Sequence, residues 1–264
     1  EGGAAINVLA RHTGAKVIVV DCGVASYLKA HPLLKIKKIG LGTNNMAVGP
    51  AMSRDAAIQS IEAGIELIEE ELAEGIDIVG TGDMGIANTT PSSAILSVLG
   101  RMDVVSATGR GTGLDEESIQ RKIHVIKKAI DVNQPNPNDA IDVLAKVGGY
   151  EIGGLAGLCL GAARYRIPVV LDGFISTAGA LIAHAIEPKV NKYLIASHVS
   201  AEKGHRVMLN LLNKIPLLDL NMRLGEGTGA ALGMNLVEAG VKLLHEMATF
   251  HEAGVSKPDK HQDG

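Results

Sequence analysis

Four carboxylates occupy the places in this chain from which chemistry is most readily done. Asp21, Asp83, Asp172 and Glu226 each end an apolar run or sit inside a glycine-rich turn. Glu226 stands in Gly225-Glu226-Gly227-Thr228-Gly229, where both neighbours suit backbone access and neither suits packing. Its plain alternative is a solvated turn residue. Asp83 lies in Gly80-Thr81-Gly82-Asp83-Met84-Gly85-Ile86-Ala87-Asn88-Thr89-Thr90. There the glycines allow positive φ and close approach of a ligand, and the loop N–H groups can face an anion. A carboxylate beside an anion cradle suits chemistry on a phosphorylated sugar, with the carboxylate taking a proton while the loop holds the phosphate.

Gly80 to Gly85 also reads as G-x-G-x-x-G, but a dinucleotide site requires the helix to open on those glycines. The spacing instead predicts a helix N-cap at Thr90 with Pro91 following, which suits one phosphate and a sugar better than NAD. A second glycine loop, Gly109-Arg110-Gly111-Thr112-Gly113, runs directly into a helix whose early turns carry Lys122. That ammonium either reaches an anion on the glycines or is an ordinary surface lysine. His198, Glu202 and His205 stand at i, i+4 and i+7 and could line one helical face around zinc. Gly204 weakens a helix there and no fourth ligand accompanies them, so no metal and no cofactor is expected.

Aromatic residues are 2% of the 264, with no Trp, which leaves an aliphatic core and no stacking platform for single-stranded nucleic acid. A net charge of −4 gives no basic field for a phosphate backbone. Cys22 and Cys159 are widely separated and form no CxxC pair, so a reducing cytoplasm is expected. No apolar run spans a bilayer, and Ile152 to Ala163 reads as a helix buried inside the protein.

The elements that must position these residues are strands alternating with helices. Lys16–Asp21, Lys38–Gly42, Ile76–Val79, Pro168–Leu171 and Tyr193–Ser197 read as the strands. Ile58, Ile61, Ile65, Ile68 and Leu72 mark the buried stripe of a helix from Asp55 to Glu74, with Glu62, Glu66, Glu69 and Glu70 on a solvated face. Ile119, Ile123, Ile126 and Ile130 mark another, and Ser176 is expected to cap a helix running to Ile186. A doubly wound parallel sheet follows, with the four carboxylates converging at its carboxyl edge.

The motifs around Gly80–Thr90, Gly109–Gly113, Leu171-Asp172-Gly173-Phe174 and Arg223–Ala231 resemble those of the nicotinate-nucleotide:dimethylbenzimidazole phosphoribosyltransferase family, from about Gly2 to Gly240. The resemblance implies a Rossmann-like large domain over residues 1–228. It also implies a small helical domain built from the chain ends, with residues 229–264 contributing, and a homodimer. The implied reaction is displacement of nicotinate from nicotinate mononucleotide by 5,6-dimethylbenzimidazole, giving α-ribazole 5′-phosphate for cobalamin assembly. Another benzimidazole, a phenolic acceptor, or nucleotide binding without turnover are the alternatives.

By this resemblance Glu226 is the general base, and Asp83, Met84, Gly85, Ile86, Asn88, Thr89, Gly111, Lys122, Asp172, Gly173, Ser200 and Leu224 bind substrate. Met84, Leu224 and Met222 would sandwich the flat aglycone. Asp83 stands where the family usually has Glu. The family's N-terminal region, part of its base pocket, has no counterpart here, so nucleotide binding is expected to outlast acceptor binding.

Overall fold

The computed structural model describes residues 2–108 and 116–254. Helix α1 (Ala5–Thr13) leads to strands β1 (Val19–Asp21) and β2 (Leu34–Ile36), and α2 (Arg54–Leu72) follows. Strand β3 (Val79–Gly80) opens into the central loop. Next come α3 (Thr89–Leu99), the single turn α4 (Val104–Ala107), α5 (Glu116–Asn133), α6 (Ala140–Val147) and α7 (Tyr150–Arg164). After β4 (Val169–Leu171) and α8 (Phe174–Ile186), a 3-10 turn precedes β5 (Leu194–Ala196) and β6 (His198–Ser200). Helix α9 (His205–Leu211), β7 (Leu218–Met222) and α10 (Thr228–Glu246) complete the order.

Every strand pairing among the described residues is parallel, as the alternation of strands and helices requires. The strands fall into three short sheets, β1-β2, β3-β4-β5 and β6-β7. Val79 pairs with Val169 and Val169 with Leu194, so β4 lies at the centre of the three-stranded sheet and is fully buried. Its uninterrupted Val-Val-Leu is what a strand covered on both faces requires.

Around this sheet the core is aliphatic. Helices α2 and α7 meet through glycine: a Cβ at Gly64 would run into the Gly154 carbonyl, and one at Gly157 into the Ile61 carbonyl. The expected buried helix is therefore α7, whose small residues permit backbone-to-backbone packing. Helix α8 is likewise enclosed, with Ala178, Ala180, Ile182 and Ala183 inaccessible to solvent. No helix among the described residues is long and apolar enough to cross a membrane.

Several local expectations are corrected. The second strand is Leu34–Ile36, not Lys38–Gly42, because it is the backbone of Leu34–Ile36 that runs in parallel register with Val19–Asp21, while Lys38 beyond it turns its ammonium back to the Val24 and Ser26 carbonyls and to Asp21. Helix α3 begins at Thr89 with Asn88 before it, so Pro91 is the third helical residue. Its missing N–H is still one of the unpaired first-turn donors, which is why proline is tolerated there. Helix α8 begins at Phe174 with Gly173 as its N-cap, and Ser176 lies buried inside the helix.

The acidic face of α2 is also more than solvated. Lys35 contacts Glu70 at 2.9 Å and Glu71 at 2.6 Å, and Lys37 reaches Glu66 and Glu70 at 2.7 Å each. These pairs fasten the β1-β2 sheet to the helix.

Candidate active site

Strand β7 delivers the chain to a turn in which Gly225, Glu226 and Gly227 have φ of 72°, 63° and 92°. The glycines take that conformation freely, whereas Glu226 carries a cost on the order of 1–2 kcal/mol. Two anchors hold it. The Glu226 N–H donates to the Asp83 carbonyl at 3.0 Å, and the Gly227 N–H donates to Asp172 Oδ2 at 3.1 Å. The Glu226 side chain stands between these anchors. Its Oε2 is buried and has no hydrogen-bond partner among the described residues.

The central loop lies against this turn. A Cβ at Gly82 would lie 2.7 Å from the Glu226 carbonyl oxygen and 2.8 Å from the Gly227 nitrogen, so glycine there is needed for close approach. Asn88 Nδ2 donates to Asp83 Oδ1 at 2.7 Å. Burial pushes the Asp83 carboxyl above its ordinary range and the Asp172 charge adds to this, against the Asn88 hydrogen bond. A Cβ at Gly85 would strike the Asn88 amide, so Gly85 gives Asn88 its place. Met84, Ile86 and Leu224 project openly, at 78%, 93% and 65% exposure, and form an apolar rim beside the turn.

Lys122 is not a surface lysine. It is 7% exposed and donates to Thr89 Oγ1, the first residue of α3, at 2.9 Å. Burial holds its ammonium below the usual lysine range, with Glu202 opposing the shift. A charged group kept at that cost beside a helix N-terminus suits an anion.

Asp172, Gly173 and Ser200 meet at the ends of β4 and β6. Asp172 is 3% exposed, and its Oδ1 accepts from the Gly229 and Ala230 N–H groups at 2.8 and 3.2 Å. A Cβ at Gly173 would touch Ser200 at 3.7 Å. Burial pushes the Asp172 carboxyl up, while His198 and the three N–H donors pull it back. Gly111 lies outside the described residues.

The structure thus brings Glu226, Asp83, Gly85, Asn88, Asp172, Gly173 and Ser200 into one region, with the apolar rim beside it and Lys122 on Thr89. It does not bring Asp21 into the site as expected. Asp21 is 2% exposed, caps the turn after β1 through the Gly23 and Val24 N–H groups, and pairs with Lys38 at 2.8 Å. Burial alone would raise its carboxyl, but Lys38 and the two N–H groups hold it below the usual value.

His198, Glu202 and His205 do not share a helical face. His198 is on β6, Glu202 lies in the loop after it, and His205 opens α9. His205 is fully buried, with Nδ1 accepting from the Ser200 N–H at 2.8 Å and Nε2 2.9 Å from Thr177 Oγ1. Burial first, then the neighbouring His198 and Arg206 charges, lower it to about 3, so it is a neutral structural group. Among the described residues no cluster of three or more His, Cys, Asp or Glu is placed to hold a metal ion.

Sequence reasoning missed Glu151, at the second position of α7, whose carboxyl burial pushes up to about 7; its own N–H opposes and Asp83 adds. It missed Thr81 too, whose Oγ1 accepts from the Asp172 N–H at 3.0 Å.

Residues 1–255 match the family model described as phosphoribosyltransferase. The chain belongs to this family. It is 58% identical over 255 residues to the nicotinate-nucleotide–dimethylbenzimidazole phosphoribosyltransferase of a Roseiflexus species, covering 97% of this chain and 72% of that protein. To the enzyme of the same name from Geobacter sulfurreducens it is 56% identical over 258 residues, covering 98% and 73%. The crystal structure of CobT from Thermus thermophilus superimposes with a TM-score of 0.93 at 43% identity, covering 97% of this chain and 77% of that one. The fold is therefore the Rossmann-like fold of these phosphoribosyltransferases.

Proposed function

We propose that this protein transfers the phosphoribosyl group of nicotinate mononucleotide to 5,6-dimethylbenzimidazole, with Glu226 as the base. The observation that carries this reading is the buried, unpartnered Glu226 Oε2, fixed beside an apolar rim. A benzimidazole nitrogen attacks C1′, and the bond from C1′ to the pyridine nitrogen breaks with its electron pair returning to that nitrogen. Nicotinate leaves. Because the leaving group begins as a pyridinium, its departure needs no proton. The acceptor N–H proton goes to Glu226, and α-ribazole 5′-phosphate is the product.

Lys122 and Thr89 at the start of α3, with the Gly85–Asn88 backbone and Ser200, hold the phosphate and its surroundings. Met84, Ile86 and Leu224 flank the flat acceptor, and Asp83 belongs to the same site. The contact of α1 with α10 supports a small domain built from residues near the two chain ends, set on a large domain over residues 1–228. A homodimer is part of the same proposal, carried by the family resemblance. So is a cytoplasmic location, for which the two cysteines, neither in a disulfide, speak.

Incubating the protein with nicotinate mononucleotide and dimethylbenzimidazole and following free nicotinate tests the reading. Release that depends on both substrates supports it. Tight retention of the nucleotide with no release would make the protein a binder instead.

A further inference from the structure

The peptide planes on either side of Glu226 are each held by one hydrogen bond. The Asp83 carbonyl fixes the N–H that enters the residue, and Asp172 Oδ2 fixes the N–H that leaves it. Together they determine both backbone torsions of Glu226, and so the direction of its Cβ. A left-handed glutamate is unfavourable by itself and persists where its surroundings leave it no alternative.

Asp172 does more than hold one amide. Gly229 and Ala230 are the second and third residues of α10, and helical N–H groups at those positions have no acceptor within their own helix. Asp172 Oδ1 takes both. Its place is set in turn by Thr81 Oγ1, which accepts from the Asp172 N–H, and the His198 ring, itself 3.0 Å from Ser197 Oγ, lies against Gly229 of the same turn. A Cβ at Gly229 would run into that ring and lie 2.9 Å from Asp172 Oδ1. With three N–H donors on its two oxygens and 3% exposure, Asp172 has no open face for a substrate.

We infer that Asp172 is a positioning residue: its carboxylate aims Glu226 by holding the backbone of the turn that carries it. The inference rests on the reading of Glu226 as base. It assigns Asp172 to the base and not to the nucleotide.

Asp172→Asn is the direct perturbation, because the amide's NH2 then faces at least one N–H donor whichever way it is turned. A displacement of the order of 1 Å at a reacting group costs about 10²-fold in turnover. The expected result is a kcat lower by about that factor, with the dissociation constant for nicotinate mononucleotide within two- to threefold of the parent. In a double-mutant cycle with Glu226→Gln, the second change is expected to cost almost nothing, since a group that acts through Glu226 has nothing left to aim. Fully additive losses, or a loss of nucleotide affinity as large as the loss of kcat, would overturn the inference.

A second measurement needs no variant. Amide hydrogen exchange on the unsubstituted protein is expected to show Gly229 and Ala230 protected although they lack intrahelical acceptors. Exchange at exposed-turn rates would mean the clasp is absent. If Glu226→Gln alone left turnover unchanged, the proposed function would fail, while the exchange result would still report on the clasp.

Discussion

Changing Glu151 to Gln should stabilise this protein, and only at neutral and alkaline pH. Glu151 lies at the start of α7, where burial holds its carboxyl at about 7 against an ordinary 4.5. Its folded-state value lies above its unfolded value, so the folded chain binds the proton more tightly. The associated stability is fully present below pH 4.5 and is lost as the pH rises through 7. The gap between 4.5 and about 7, at about 1.4 kcal/mol per pH unit, is about 3 kcal/mol.

Glutamine keeps the shape and an oxygen for the helix N–H, and carries no charge to desolvate. At pH 8 Glu151→Gln should raise the melting temperature by several degrees, since 1 kcal/mol is worth about 2–4 °C in a chain of this size. At pH 4.5 the two proteins should melt together. Calorimetric or circular-dichroism melts across pH 4–9 make the comparison. Equal melting at pH 8, or a less stable Gln variant there, would mean that Glu151 is solvated or paired and that the desolvation reasoning is wrong.

Lys122→Met should weaken nicotinate mononucleotide and spare the dephosphorylated nucleoside, measured by calorimetry; equal losses for both would mean that the lysine acts through packing. The same change removes a buried cation whose value lies below the lysine norm, so its stability benefit over the parent should shrink as rising pH discharges Lys122. In melts of Gly157→Ala, the gain of about 1 kcal/mol from alanine in a helix should be outweighed by collision with the Ile61 backbone, for a net loss of stability. A more stable Ala variant would show that α2 and α7 are not in backbone contact.

Much of this molecule can be read from its sequence, and the unreadable parts share a physical cause. The isoleucines of α2 and α5 repeat at helical spacing, so those helices announce their buried faces locally. The Glu226 turn is legible because glycine on both sides of an acid has few structural uses. Asp21 reads as a site residue because a carboxylate after an apolar run looks the same whether it faces a ligand or caps its own turn. Only Lys38, folding back from 17 residues on, separates the two cases. Glu151 looks like any acid at a helix start, and its burial is a property of how α7 is packed. The start of α3 reads two residues late because Thr90-Pro91 is a good helix opening, and nothing local shows that Asn88 is engaged with Asp83.

The claim that Glu226 is the base is tested most directly by turnover of Glu226→Gln, followed as nicotinate release under saturating dimethylbenzimidazole. Glutamine preserves shape and hydrogen bonding but cannot take the acceptor's proton. Turnover should fall on the order of 10²- to 10⁴-fold while nucleotide binding stays near the parent value. A Gln variant with unchanged turnover and unchanged nucleotide binding would remove Glu226 from the chemistry and leave Asp83, its hydrogen-bonded neighbour, as the candidate base.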